Sequence, residues 1–198
     1  MKKIAVWMGV MVLATAMTAL AVSPQILADF NMPPPNNLGG AYGAFSPRAE
    51  EMTYVTVETW DEVEKYGTDG GSMQLEYNVD KPGSFNGFWM KLGPEDTGNE
   101  FDAAAYSKLT FWAKGDPSVG VPSKLKVELK GDPGTRIGRY YISNIGSDWK
   151  KYEIPLKDIA AQKVDLTKLN EFVIVFEQNQ VAPGTKGVIW IDEITFEP

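Results

Sequence analysis

Beyond residue 50 the chain alternates apolar and polar positions with period two, in short runs separated by Gly, Pro, Asn and Asp. The runs fall at 52–57, 72–79, 85–92, 109–114, 125–130, 139–143, 152–156, 171–177 and 188–196. Alternation of this length predicts half-buried strands, and about nine of them in series predict two packed antiparallel sheets. Leu125, Val127 and Leu129 should point to the core, leaving Lys124, Lys126, Glu128 and Lys130 on the other face. Tyr140 and Ile142 go inward by the same rule, and Arg139, Tyr141 and Ser143 outward. Leu109, Phe111 and Ala113 are core positions opposite Thr110, Trp112 and Lys114. In 172–177 both parities are apolar, which predicts a central strand covered on both faces. Helical signal is thin: one turn or short helix at 101–106 and another at 156–169. The favoured architecture is all-β, a jelly-roll β-sandwich of two antiparallel sheets.

The first 28 residues read differently. Lys2 and Lys3 precede an uncharged apolar run from Ile4 to Val22, which ends among small residues. Ala19-Leu20-Ala21 fits the small-x-small pattern of a secretory cleavage site, and a second candidate cut follows Ala28. Residues 1–28 are therefore expected to be a signal peptide, and residues 29–198 a single secreted or periplasmic domain. An uncleaved membrane anchor is the competing reading, since about 18 apolar residues can just span a bilayer. Residues 29–50 are rich in Pro, Gly and Asn, and by composition alone are a linker.

Composition then closes most chemical classes. The chain has no histidine and no cysteine. A Ser-His-Asp triad, an imidazole or thiolate metal site and a disulfide are all excluded. Of 198 residues, 26 are acidic and 19 basic, a net charge of −7 that becomes −9 when the leader removes two lysines and no acid. That balance opposes phosphate backbones and anionic membranes, so neither nucleic acid nor a membrane is an expected partner of the processed chain. Neutral ligands are favoured.

Several segments, taken in order, resemble a known family. Asp29-Phe30 is followed by Asn37-Leu38-Gly39-Gly40-Ala41-Tyr42-Gly43, and later by Leu109-Thr110-Phe111-Trp112-Ala113-Lys114-Gly115-Asp116. Trp149 with Ile154-Pro155-Leu156, and the closing Gly187-Val188-Ile189-Trp190-Ile191-Asp192-Glu193-Ile194-Thr195-Phe196, complete the series. The pattern is similar to that of family 11-type carbohydrate-binding modules and the related complex I intermediate-associated domains, of the galactose-binding-like superfamily. The resemblance covers residues 29–196 and implies that 29–50 belong to the domain. It implies a non-catalytic module that binds a neutral polysaccharide or oligosaccharide in a cleft on a concave sheet. A protein-protein or cell-envelope assembly module, binding a protein partner on the same scaffold, is the alternative.

Sugar rings offer C–H faces to aromatics and hydroxyls to charged or amide groups. The outward-facing candidates for such a site are Trp89, Trp112, Glu128, Arg139, Tyr141, Glu177 and Gln178. The bland alternatives are a cross-strand ion pair for Glu128 and Arg139 and simple coverage of a sheet face for the tryptophans. Asp192 stands among Ile191 and Ile194, where an unpaired carboxylate is costly. The resemblance implies a structural Ca2+ held by Asp29 and Asp192 with backbone carbonyls. Asn31, however, stands where that family often has an acid, and the alternative is that Asp192 caps backbone N–H groups. No motif singles out a catalytic carboxylate pair, and no glycine loop precedes a helix to cradle phosphate.

Overall fold

The computed structural model describes residues 21–47, 53–131 and 136–198. Most of the expected leader (1–20), positions 48–50 of the Pro/Gly-rich segment and the start of the 52–57 run lie outside the described residues.

Eleven strands are present among the described residues: β1 (Gln25–Ala28), β2 (Tyr42–Phe45), β3 (Thr56–Asp61), β4 (Ser72–Asn78), β5 (Phe85–Lys91), β6 (Lys108–Gly115), β7 (Lys124–Lys130), β8 (Ile137–Ser143), β9 (Lys150–Pro155), β10 (Glu171–Glu177) and β11 (Lys186–Glu197). They form two antiparallel sheets. One runs β3-β4-β11-β6-β9, with β1 added against β11; the other runs β2-β5-β10-β7-β8. The alternation rule holds: Leu125, Val127, Leu129, Leu109, Phe111, Ala113 and Ile142 are buried in the layer between the sheets, and half-buried Tyr140 packs against it. Tyr77 of β4 stacks on Phe176 of β10 with ring centroids 4.0 Å apart, joining one sheet to the other. Buried Thr56 donates to Asn86 Oδ1 across the same gap at 2.7 Å.

Three expectations change, and the composition-only reading of residues 29–50 gives way to the one the resemblance implied. The run read as 52–57 becomes a strand at Thr56–Asp61, because pairing with β4 and not local alternation sets its limits. The helix expected over 156–169 shrinks to α1 (Leu156–Ala160) and a single 3-10 turn at Leu166–Lys168; both helical pieces follow edge strand β9 and have room for only one or two turns. Residues 101–106 form an isolated bridge and a turn, with Phe101 stacked on Phe196. The Pro/Gly-rich segment is no linker. Asn36 holds it closed by accepting from the N–H groups of Leu38 and Gly40 and donating to the Lys91 carbonyl, and β2 then pairs with β5.

β1 lies ahead of the boundary expected at residue 29. Gln25 pairs with Phe196 and Ala28 with Ile194, while Leu27 and Ala28 are fully buried. A chain beginning at Val22 should therefore unfold in urea as one stable unit. A chain beginning at Asp29 should be weaker by about 2–5 kcal/mol, the range for emptying a core leucine site. Equal midpoints for the two would show that β1 is dispensable.

Candidate functional site

The site is built on the outer face of the five-stranded sheet. Strand register places its side chains in rows. Gly43, Trp89, Val173, Glu128 and Arg139 lie across one row, and Phe45, Gly87, Val175, Lys126 and Tyr141 across the next. Lys91, Glu171 and Lys130 flank the first row, and Phe85 pairs with Glu177 beyond the second. Two adjoining depressions of about 310 and 220 Å³ occupy this face. Phe45, Trp89, Lys91, Lys130, Glu171 and Val173 line the first; Phe45, Phe85, Lys126, Glu128, Lys130, Val175 and Glu177 line the second. Phe45 and Lys130 border both.

The aromatic side depends on two glycines. A Cβ placed on Gly43 would stand 3.4 Å from Trp89 Cζ2 and 3.5 Å from Nε1, so the indole lies down over the glycine of the neighbouring strand. The relation is reversed one row on, where a Cβ on Gly87 would come within 2.9 Å of Phe45 Cε1. Each ring thus covers the bare backbone of its cross-strand partner instead of standing upright. Val173 and Val175 of β10 form the floor beside them and are almost fully buried. β10 is buried on both faces, as its apolar residues at both parities predict, and its outer cover is the side chains of the site itself.

The opposite side is an ion ladder. Lys91 Nζ meets Glu171 Oε2 at 2.6 Å, and Lys130 Nζ meets Glu171 Oε1 at 3.0 Å and Glu128 Oε2 at 3.7 Å. Lys126 Nζ bridges Glu128 at 3.0 Å and Glu177 at 2.6 Å. Arg139 Nε reaches Glu128 Oε1 at 3.4 Å, and the Tyr141 hydroxyl donates to Glu177 Oε2 at 3.4 Å. Burial alone would raise the Glu171 pKa, but the hydrogen bonds from Lys91 and Lys130 outweigh it and hold the carboxyl below its usual range. For Lys126, burial works against the charge, and the bonds to Glu177 and Glu128 win, so its pKa is raised.

Five of the seven candidates, Trp89, Glu128, Arg139, Tyr141 and Glu177, therefore share one face. Arg139 and Tyr141 stand at its margin on edge strand β8, outside the two depressions. Trp112 does not join them. It points outward as its parity requires, but β6 pairs with β11 and β9, so it belongs to the other sheet, where Tyr66 stacks on it at 3.7 Å. Parity says which way a side chain points and not which sheet carries it. Gln178 leaves the β10 face to open the one-turn helix α2 (Gln178–Val181). Phe45, Phe85, Lys91, Lys126, Lys130 and Glu171 were not singled out. The outward parity of 126, 130 and 171 was available as a signal, whereas Phe45 was concealed in a segment that composition labels a linker.

Asp192 and Asp29 lie elsewhere, near the first and last strands. Asp192 is 1% exposed; its Oδ2 accepts from the Tyr66 N–H at 3.0 Å and its Oδ1 from the Glu193 N–H at 2.8 Å. Burial pushes its pKa up to about 7, with the charges of Glu193 and Asp29 adding to the rise against those two N–H bonds. Asp29 Oδ1 accepts from the Asn31 N–H at 3.1 Å. Among the described residues no three acidic side chains come together as a cation site, so a metal here would draw most of its ligands from backbone oxygens.

Two stacked antiparallel sheets, one carrying an aromatic and polar trough on its outer face, share the architecture of the jelly-roll carbohydrate-binding modules. Within that class the chain belongs to the carbohydrate binding domain 30 family, whose model matches residues 37–198. The fold agrees with solved modules. The family 11 carbohydrate-binding module from Clostridium thermocellum, in complex with a β-1,3-1,4-mixed-linked tetrasaccharide, gives a TM-score of 0.64 at 18% identity, covering 89% of this chain and 96% of that one. The family 30 module of the Clostridium thermocellum cellulosomal cellulase Cel9D-Cel44B gives 0.60 at 13% identity, over 88% and 96%. CBM27-1 of Caldicellulosiruptor saccharolyticus, in complex with mannohexaose, gives 0.50 at 15% identity, over 89% and 98%. No curated protein sequence matches the chain.

The ladder makes a pH prediction. Glu171 has a folded pKa below its unfolded value, so its contribution to stability is complete above the unfolded pKa and is lost as pH falls through the folded one. Thermal melts between pH 6 and pH 3 should show the wild-type protein losing more stability than Glu171→Gln, which has no proton to gain. Parallel curves would mean that Glu171 is not held in its charged form.

Proposed function

We propose that the trough on the five-stranded sheet is where this carbohydrate-binding module takes its ligand, a neutral glucan-like chain, and that it does so without catalysis. The observation that carries this reading is the pairing of two laid-down rings, Trp89 and Phe45, with a row of fixed polar groups across an aliphatic floor. Sugar C–H faces stack on Trp89, Phe45 and Phe85, while hydroxyls exchange water for the lysine and glutamate tips opposite. A neutral ligand is favoured because the carboxylates and ammonium groups already satisfy one another, in a chain of net charge −7. The same pairing argues against hydrolysis. A glycosidase needs a carboxylic acid that keeps its proton near neutral pH, and the lysines drive Glu171 the opposite way.

Export accompanies this reading. The basic start, apolar run and small-residue exit support a signal peptide cut after Ala21, because a cut after Ala28 would remove β1 from the core. Among the described residues no helix is long and apolar enough to cross a membrane. A structural Ca2+ between Asp29 and Asp192 is the second part. A buried carboxylate whose charge is opposed by burial and by the charges of Glu193 and Asp29 is relieved by a divalent cation more readily than by water.

Calorimetry against soluble β-glucans, xylans and mannans should find a glucan ligand, and Trp89→Ala should weaken it at least about tenfold, or ~1.4 kcal/mol. A folded wild-type protein that retains none of the panel removes the proposal.

Calcium has its own test. The folded pKa of Asp192, raised to about 7, means that this group destabilises the fold progressively as pH rises from the ordinary carboxylate range through that value. In EDTA the melting temperature should fall between pH 6 and pH 8. Added Ca2+ should restore it at pH 8 and leave an Asp192→Asn protein unchanged. No response of the wild type to Ca2+ sinks the metal.

A further inference from the structure

β8 is an edge strand. One side of it pairs with β7, and among the described residues no strand pairs with the other side. At Arg139 that open side is nonetheless filled. The Arg139 N–H donates to Gln162 Oε1 at 3.0 Å, and Gln162 Nε2 donates to the Arg139 carbonyl at 2.9 Å. One carboxamide thus supplies both halves of a missing cross-strand pair. Gln162 Nε2 also donates to the Asp158 carbonyl at 3.0 Å, which orients the amide from the preceding helix α1.

The element carrying Gln162 is seated independently of those bonds. Gly138 leaves room for α1: a Cβ there would meet Ile159 Cγ2 at 2.5 Å and Val164 Cγ2 at 3.1 Å. Ile159 and Val164 are buried in the core. Lys163, the residue after Gln162, has φ = 65°, a left-handed conformation that a lysine adopts only when its surroundings impose it. The turn is therefore built to present Gln162 to the edge, and what it grips is the peptide of a trough-margin residue. The Arg139 side chain is 49% exposed and leans on Glu128, which is 6% exposed at the centre of the ladder.

We propose that Gln162 is a positioning residue for the saccharide trough: it stands in for an absent strand, fixes the Arg139 peptide, and through it sets where the guanidinium meets Glu128 and the ligand. The inference rests on the trough being the saccharide site. Free edge peptides fray and exchange with water, whereas a doubly bonded one does not. Without Gln162 the backbone at Arg139 loses two hydrogen bonds while α1 keeps its apolar seat.

A double-mutant cycle tests it, read by calorimetry with the tightest glucan oligosaccharide found for the wild type. Gln162→Ala and Arg139→Ala should each weaken binding roughly fivefold, about the worth of one to two hydrogen bonds. The double variant should be no weaker than Arg139→Ala alone, because Gln162 acts through Arg139. Gln162→Glu keeps an acceptor for the Arg139 N–H but sets an oxygen against its carbonyl, and should reproduce the loss with the fold intact. Amide exchange at Arg139 should accelerate in both Gln162 variants. Losses that add in the double variant indicate a general structural role and overturn the inference, as does unchanged affinity in Gln162→Ala. A wild-type protein that binds no oligosaccharide fails earlier and overturns the saccharide reading itself.

Discussion

The seven residues of β10 bind the core and the trough into one register. Phe172, Ile174 and Phe176 project inward, where Phe176 stacks on Tyr77 of the other sheet and Phe172 meets Phe111 edge-on. Glu171, Val173, Val175 and Glu177 project outward as the two ends and the floor of the trough. A slip of one residue would put two glutamates into the apolar layer and three large hydrophobics on the surface, so the core enforces the geometry of the site. The ladder inherits that precision. Glu171 sits between Lys91 and Lys130, and Glu177 beside Lys126, because the same pairing that seats the phenylalanines sets those rows.

Most of this scaffold was legible from alternation, since a half-buried strand repeats every two residues whatever its neighbours. What alternation cannot carry is partnership. Trp89 and Trp112 have the same outward sense, yet Trp89 faces the trough and Trp112 the opposite side of the molecule. The difference lies wholly in long-range pairing. β2 escaped for another reason: Tyr-Gly-Ala-Phe has too few residues to show a period, and its glycine reads locally as a turn signal. That glycine is the seat of the Trp89 indole, so the feature that concealed the strand is the one that lets the ring lie down on it.

The two sheets spend their exposed aromatics differently. On the six-stranded sheet Tyr66 lies on Trp112, Trp149 approaches Tyr66 edge-on at 6.2 Å, and the Tyr66 N–H is taken by buried Asp192. Lys114, on the same strand as Trp112, is paired with Glu64 of the same loop. These contacts hold the loop at Glu64 and Tyr66 against the sheet, so one face of Trp112 is taken by the chain itself. Among the described residues no loop covers Trp89 or Phe45. They rest on glycines and line the two depressions, with Lys91 Nζ 5.9 Å from the centroid of the Trp89 ring. An outward aromatic becomes a binding surface only when the chain itself does not occupy it.

The ion ladder is poorly explained as a device for stability. Half-buried ion pairs give up much of their Coulomb attraction to desolvation, and apolar residues of similar volume commonly hold a fold as well or better. A β-sheet face made only of valines and aromatics would be easier to stabilise, but it would bind any greasy surface offered to it. Interlocked lysines and glutamates add directed donors and acceptors whose positions are settled before a ligand arrives. Each of the three carboxylates has at least two partners, so a hydroxyl entering the trough meets a fixed set of oxygens and N–H groups and pays little to order them. Such an arrangement contributes selectivity more than affinity: a ligand gains only where its hydroxyls coincide with groups that will not move to meet it. In the proposed saccharide site the rings supply the adhesion, and the ladder decides which saccharide may use it.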